Sequence, residues 1–105
     1  MIIVSRLVPY SAMAIYPFVF IKKKEMENDT VLIYHERIHH RQQLELLIIP
    51  FYILYLFNYL LNLLRYKKHY KAYREIIFER EAYIMENDFE YLQMRKMFAF
   101  LNFLY

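Results

Sequence analysis

The sequence predicts a mainly α domain: a compact helical bundle preceded by a short extended segment at the N-terminus. Three observations lead there. The 105 residues contain no glycine, and the favoured hairpin turns depend on glycine at positive φ, so an all-β fold is disfavoured. Hydrophobic residues make up 59% of the chain, which argues against disorder and raises the question of a membrane. From Val31 onward the chain meets no strong helix breaker until Pro50. A chain of this length is one domain, 1–105, divided into an N-terminal apolar segment and connector, 1–29, and a helical core, 30–105.

Residues 7–21 are uncharged but contain Pro9, Ser11 and Pro17. A spanning helix needs about 20 apolar residues, so this interrupted stretch is too short to be one. No small-residue cleavage site follows it, so there is no clear signal peptide and the expected location is the cytoplasm or a membrane surface. Residues 18–21, behind Pro17, are the best strand candidate. A polar connector follows at 22–29, and Asp29 or Thr30 can cap the next helix by accepting from its first free N–H groups. Residues 46–64 form a run of nineteen uncharged residues, relieved only by Pro50, Asn58 and Asn62. Periodicity does not decide whether this run spans a bilayer, lies against one or fills a soluble core. Asn58 and Asn62 either hydrogen-bond across a helix interface or mark a polar face. Residues 65–71 read as a turn or exposed helix end, 73–90 as a helical stretch, and 98–105 as a final apolar segment.

Several function classes fall on composition. Without cysteine there is no disulfide framework and no thiolate-ligated zinc or iron–sulfur site. Without glycine there is no phosphate-cradling loop. The net charge of +3 is too mild to imply a nucleic-acid partner. The basic groups gather at Lys22 to Lys24 and at Arg65, Lys67, Lys68, Lys71 and Arg74, each beside an apolar run, a pattern of solvated ends or membrane-surface anchors.

One motif carries chemistry. His35-Glu36-Arg37-Ile38-His39 fits H-E-x-x-H inside the helix expected from Asp29 or Thr30. Residues four apart share a helix face, so both imidazoles can reach one tetrahedral zinc ion. Glu36 projects beside them, placed to take a proton from a water held by the ion. The competing reading is a solvated face on which these residues merely sit. Against it, apolar residues flank the motif on both sides, and buried His and Glu need partners. Arg37 and Arg41 are unusual for a peptidase, and Arg37 is tolerable if it faces solvent. His40 is rotated away from His39 and expected at the surface or behind the site. His69 is expected to be exposed and free of metal. Met85, Met94 and Met97 are expected as core filler.

Catalytic zinc keeps three protein ligands and one open position, so a third ligand is required. Residues 79–83 read Glu-Arg-Glu-Ala-Tyr. Here the chain resembles the gluzincin clan of zinc metallopeptidases, whose second metal-binding helix often reads E-x-x-A-D: Glu79 and Ala82 match, while Tyr83 replaces the acid that supports a ligand histidine. The segment from His35 to Gln43 is also similar to short bacterial metallopeptidase domains with H-E-x-x-H-x-x-Q-Q, since Gln42 and Gln43 fall in register. The resemblance covers roughly residues 31–87. It implies a minimal gluzincin fold, zinc held by His35, His39 and Glu79, Glu36 as general base and acid, and peptide-bond hydrolysis. Tyr83, one turn beyond Glu79, can serve as an oxyanion donor or as packing.

Geometry adds a condition. At about 1.5 Å per residue, one straight helix over 30–66 would leave His39 about 40 Å from its end and Glu79 only about 15 Å. A shared ion therefore demands a chain reversal inside 46–64, by a bend at Pro50 or a hairpin near Asn58. Without it, Glu86 or Glu90 would be the better-placed ligand. The reversal also makes the apolar run a folded-back helix packed behind the site rather than a simple span. The expected function is zinc-dependent hydrolysis of a peptide or protein substrate. Residues 18–21 are the one candidate for a substrate-aligning edge strand, failing which a partner chain or second copy is needed. The alternative is a non-catalytic membrane-associated helical protein or a helical interaction module.

Overall fold

A computed structural model describes residues 1–8 and 11–104, so Pro9, Tyr10 and Tyr105 lie outside the described residues. The chain is mainly α, as expected. Strands β1 (Ile2–Val4), β2 (Ala12–Ile15) and β3 (Phe18–Ile21) are followed by a 3-10 helix at Lys24–Asn28. Helices α1 (Thr30–Leu46), α2 (Ile48–Tyr66), α3 (His69–Arg74), α4 (Ile77–Met85) and α5 (Tyr91–Met94) come next, then a second 3-10 helix at Ala99–Phe103.

The N-terminal region holds more than one extended piece. Residues 18–21 are a strand, but the central one of a three-stranded sheet ordered β1-β3-β2, parallel to β1 and antiparallel to β2. As the central strand, β3 has no free edge, so it cannot align a substrate as the sequence reading required. The free edge beside α1 belongs to β2. Tyr16 and Pro17, joined by a cis peptide bond, connect β2 to β3 in a tight turn that uses proline where others use glycine. Gln43 fastens this hairpin to α1: its side-chain oxygen accepts from the Tyr16 N–H at 2.8 Å and its amide donates to the Ala14 carbonyl at 2.8 Å.

Helix α1 starts where the capping rule places it, with the Asp29 carboxylate accepting from the Leu32 N–H at 3.1 Å. Its end corrects the expected bend at Pro50 and the alternative hairpin near Asn58. A proline ring clashes with the carbonyl four residues back, which for Pro50 is that of Leu46, the last residue of α1. The break therefore falls at Leu47, with φ 66 and ψ 154, and Pro50 sits harmlessly in the first turn of α2, where N–H groups are free in any case. The first bond of the new helix is donated by Phe51 to Leu47. Helix α2 then runs unbroken past Asn58.

The second reversal is also made without glycine. Lys67 takes the left-handed conformation at φ 60 and its N–H caps the Leu63 carbonyl at 2.8 Å. The returning chain is not the single helix expected over 73–90, because it breaks between α3 and α4 and ends at Met85. Both asparagines of α2 bond across the interface: Asn62 donates to the Ala72 carbonyl at 3.1 Å, and Asn58 accepts from the Ile77 N–H, the first of α4, at 2.8 Å. This antiparallel register brings α4 back beside the start of α2 and against α1.

Two apolar clusters flank the helices: Tyr34, Ile38, Ala82 and Leu92 on one side, and Phe51, Ile76, Phe78 and Phe100 on the other. Met85 packs against the first, whereas Met94 and Met97 are exposed and are not core. A buried ion cluster closes the C-terminal end, where Arg95 meets Glu81 at 2.5 Å and Glu45 at 2.6 Å. Helix α2 is the expected folded-back helix behind the site, but it packs by one side only. It is long and apolar enough to cross a membrane, yet only 11% of that stretch is buried.

Candidate metal centre

Helices α1 and α4 bring His35, His39 and Glu79 together, all three buried, with one donor atom from each lying within 4.8 Å of the others. One oxygen of Glu79 lies 3.0 Å from His35 Nε2 and 3.1 Å from His39 Nε2. Ligands on a tetrahedral zinc, with bonds of about 2.0–2.2 Å, stand about 3.3 Å apart, so these separations suit such an ion.

The outer hydrogen bonds decide how the histidines face. Gln42 donates its amide to the Phe78 carbonyl at 3.1 Å and to Glu81 at 2.9 Å, which leaves its oxygen to accept from His39 Nδ1–H at 2.8 Å. Glu86 accepts from His35 Nδ1–H at 2.7 Å. In neutral rings so held, both Nε2 atoms carry lone pairs aimed at a carboxylate oxygen, and three acceptors cannot share one point without a cation. A proton or a metal ion meets that need. Tyr55 on α2 donates to the second oxygen of Glu79 at 2.5 Å, completing the support.

The electrostatics follow from this crowding. Burial lowers the His39 imidazole, but the charge and hydrogen bond of Glu79 outweigh it and hold the ring above its ordinary pKa. Burial raises Glu79, but His39 and His35 hold it well below the usual carboxylate range. Burial raises Glu36, only partly offset by His39 and His35.

Glu36 is buried, and among the described residues no side chain hydrogen-bonds to its carboxylate. It lines two adjoining cavities. One, of about 490 Å³, also touches His35, Tyr73, Tyr83 and Glu86; the other, of about 130 Å³, touches His39, Glu79 and residues Ala12, Met13 and Ala14 of β2. Because Lys22 N–H bonds to the Ser11 carbonyl, the alternation of an antiparallel pair turns the Ala12 and Ala14 peptide groups to the outer edge. The Ala14 carbonyl is taken by Gln43 and Tyr52, leaving Ala12 as the open position of that edge.

The remaining candidates separate cleanly. Arg37 is exposed. His40 is half-buried and bonds the Phe18 carbonyl at 2.8 Å, tying α1 to β3 rather than to the centre. His69 is exposed and paired with the Tyr59 hydroxyl at 2.7 Å. Glu86 serves as partner of His35 on its outer nitrogen, not as the third donor, and Glu90 is exposed in the turn before α5. Glu86 thereby gives His35 the carboxylate partner that a tyrosine at position 83 cannot be. Tyr83 instead stacks edge-on against His35 with ring centroids 4.4 Å apart, shares a 2.7 Å hydrogen bond with Tyr73 and lies under the Arg74 guanidinium.

Sequence reasoning missed Tyr55 and the roles of Gln42 and Glu86. The available signal for Tyr55 was the spacing of Tyr52, Tyr55, Asn58, Tyr59 and Asn62, which collects the polar groups of α2 on one side. No family model, curated protein or solved structure matches the chain, so the geometry of this centre stands on its own.

Proposed function

We propose that this protein is a zinc-dependent peptidase of minimal gluzincin type, with His35, His39 and Glu79 as ligands and Glu36 as general base and acid. The observation that carries the reading is the convergence of two Nε2 lone pairs and a carboxylate oxygen, each oriented from behind by its own hydrogen bond, next to a buried glutamate whose carboxylate no described side chain hydrogen-bonds. Zinc in such a donor set supplies Lewis acidity, polarising a carbonyl and making water a nucleophile near neutral pH. The chain supplies the rest. An extended peptide adds to the outer edge of β2, with Ala12 offering the open peptide group. Glu36 takes the proton of the attacking water as oxygen bonds to the carbonyl carbon. It then delivers that proton to the departing amide nitrogen, so the products are a carboxylate and an amine. Burial pushes the Tyr83 phenol up, so it stays protonated and lines the cleft as a donor.

Metal analysis of protein purified without chelator tests the first half: wild type should carry one zinc per chain and His39→Ala none. Equal, substoichiometric zinc in both would remove the centre. Glu36→Gln tests the second half. It should keep its zinc and lose cleavage of a quenched fluorescent peptide library; cleavage at wild-type rate would remove Glu36 from the chemistry.

A further inference from the structure

Helix α2 is built inside out. Its tyrosines and asparagines face the protein, where Tyr55 holds Glu79 and Asn58 and Asn62 bond α4 and α3. An apolar set faces outward: Ile49, Ile53, Leu56, Phe57, Leu60 and Leu64 are all exposed, the last at 76%. At about 100° per residue these six fall on one side of the helix. Leu54 and Leu61, also exposed, widen the face to about 160° of the circumference. A helix packed on one neighbour needs an apolar stripe of about 100°, so a partner helix would leave the flanks of this face in water. A fluid apolar medium covers it entirely.

Charge identifies the medium. No Asp or Glu occurs between Glu45 and Glu75, while Arg65, Lys67, Lys68 and Lys71 cluster where α2 ends and the chain turns, and Arg74 turns inward over the Tyr83 ring. Arg65 and Lys71 bracket the Tyr66 ring, with its centroid 5.4 and 4.9 Å from their charged groups, which gathers these two cations at the end of α2. We propose that α2 lies in the plane of an anionic phospholipid bilayer, outer face in the acyl boundary and basic turn among the headgroups. A crossing orientation is excluded by the return chain: α3 runs antiparallel to α2 through Asn62 and Ala72 and would carry Lys71 and Arg74 into hydrocarbon. Because Tyr55 reaches Glu79 from the inner face, the centre sits about one helix diameter, roughly 10 Å, above the lipid.

The chain contains no tryptophan, so single substitutions report cleanly. Ile49→Trp, Phe57→Trp and Leu64→Trp, each in the full chain, should blue-shift on addition of vesicles of phosphatidylglycerol and phosphatidylcholine in equal parts. All three should be quenched alike by lipid brominated near the headgroup. Vesicle sedimentation should fall on the order of tenfold for Lys67→Gln with Lys68→Gln, and should vanish for Ile53→Glu with Leu60→Glu while circular dichroism is unchanged. Unmoved emission overturns the proposal. So does quenching at graded depths, which means a crossing helix. A dimer in buffer that the Glu substitutions separate and vesicles leave intact assigns the face to a second copy and likewise overturns it.

Discussion

Gln42 Oε1 lies 2.8 Å from His39 Nδ1, while the amide of the same side chain reaches the Phe78 carbonyl and Glu81. One fully buried glutamine thus orients a donor imidazole and ties α1 to α4. Gln42→Leu removes the acceptor that selects the ring's tautomer. Zinc affinity should fall about 10–100-fold, read by competition with a chromophoric chelator. Stability should also drop, by about 1–3 kcal/mol in urea unfolding, because the Phe78 carbonyl loses its buried donor. Unchanged affinity would show that His39 keeps its orientation without Gln42.

His35 and Glu86 make the matching pair on the other imidazole. Glu86→Ala should weaken zinc binding by about tenfold or more. Glu86→Gln keeps an oxygen that accepts from Nδ1–H and should retain most of the affinity. Equal losses in the two variants would mean that charge, not the hydrogen bond, is what His35 needs.

Arg95 is buried against Glu81 and Glu45, with its side chain 0% exposed. Removing one partner from a buried pair leaves uncompensated charge, so Arg95→Met should destabilise the fold by about 3–5 kcal/mol. Replacing all three residues by apolar ones of similar volume should restore much of that loss. Thermal unfolding of the single and triple variants checks both statements.

Lys67 adopts the left-handed conformation that glycine takes without cost. Lys67→Gly should raise stability by about 0.5–1 kcal/mol, whereas Lys67→Ala should not. A shift of the urea midpoint at constant slope is the measurement, and a destabilised glycine variant would show that the lysine side chain contributes more than its backbone costs.

Local rules made part of this molecule readable. Asp29 starts α1 because a carboxylate can accept from free N–H groups three residues on, and His35 and His39 share a face because four residues is about one helical turn. Residues 18–21 were recognisable as a strand. What failed involved partners distant in sequence. The reversal falls at Leu47 because the Pro50 ring acts on the carbonyl of Leu46, a clash recorded in the sequence but displaced from the proline itself. Strands β1 and β2 escaped notice because short strands are stabilised by their neighbours, and neighbours are not visible in one dimension.

The sequence by itself determined the helical class, the capped motif helix and the candidate donors on it, since these depend on bonds within one or two turns. Only the tertiary structure decided that Glu79 meets both histidines, that Glu86 and Tyr55 support them, that β2 rather than β3 faces the cleft, and that α2 keeps its aliphatic side outward. Each of those depends on which faces of separate elements meet. An apolar run has the same composition whether it is wrapped in protein or left bare, and only the packing of its neighbours tells which.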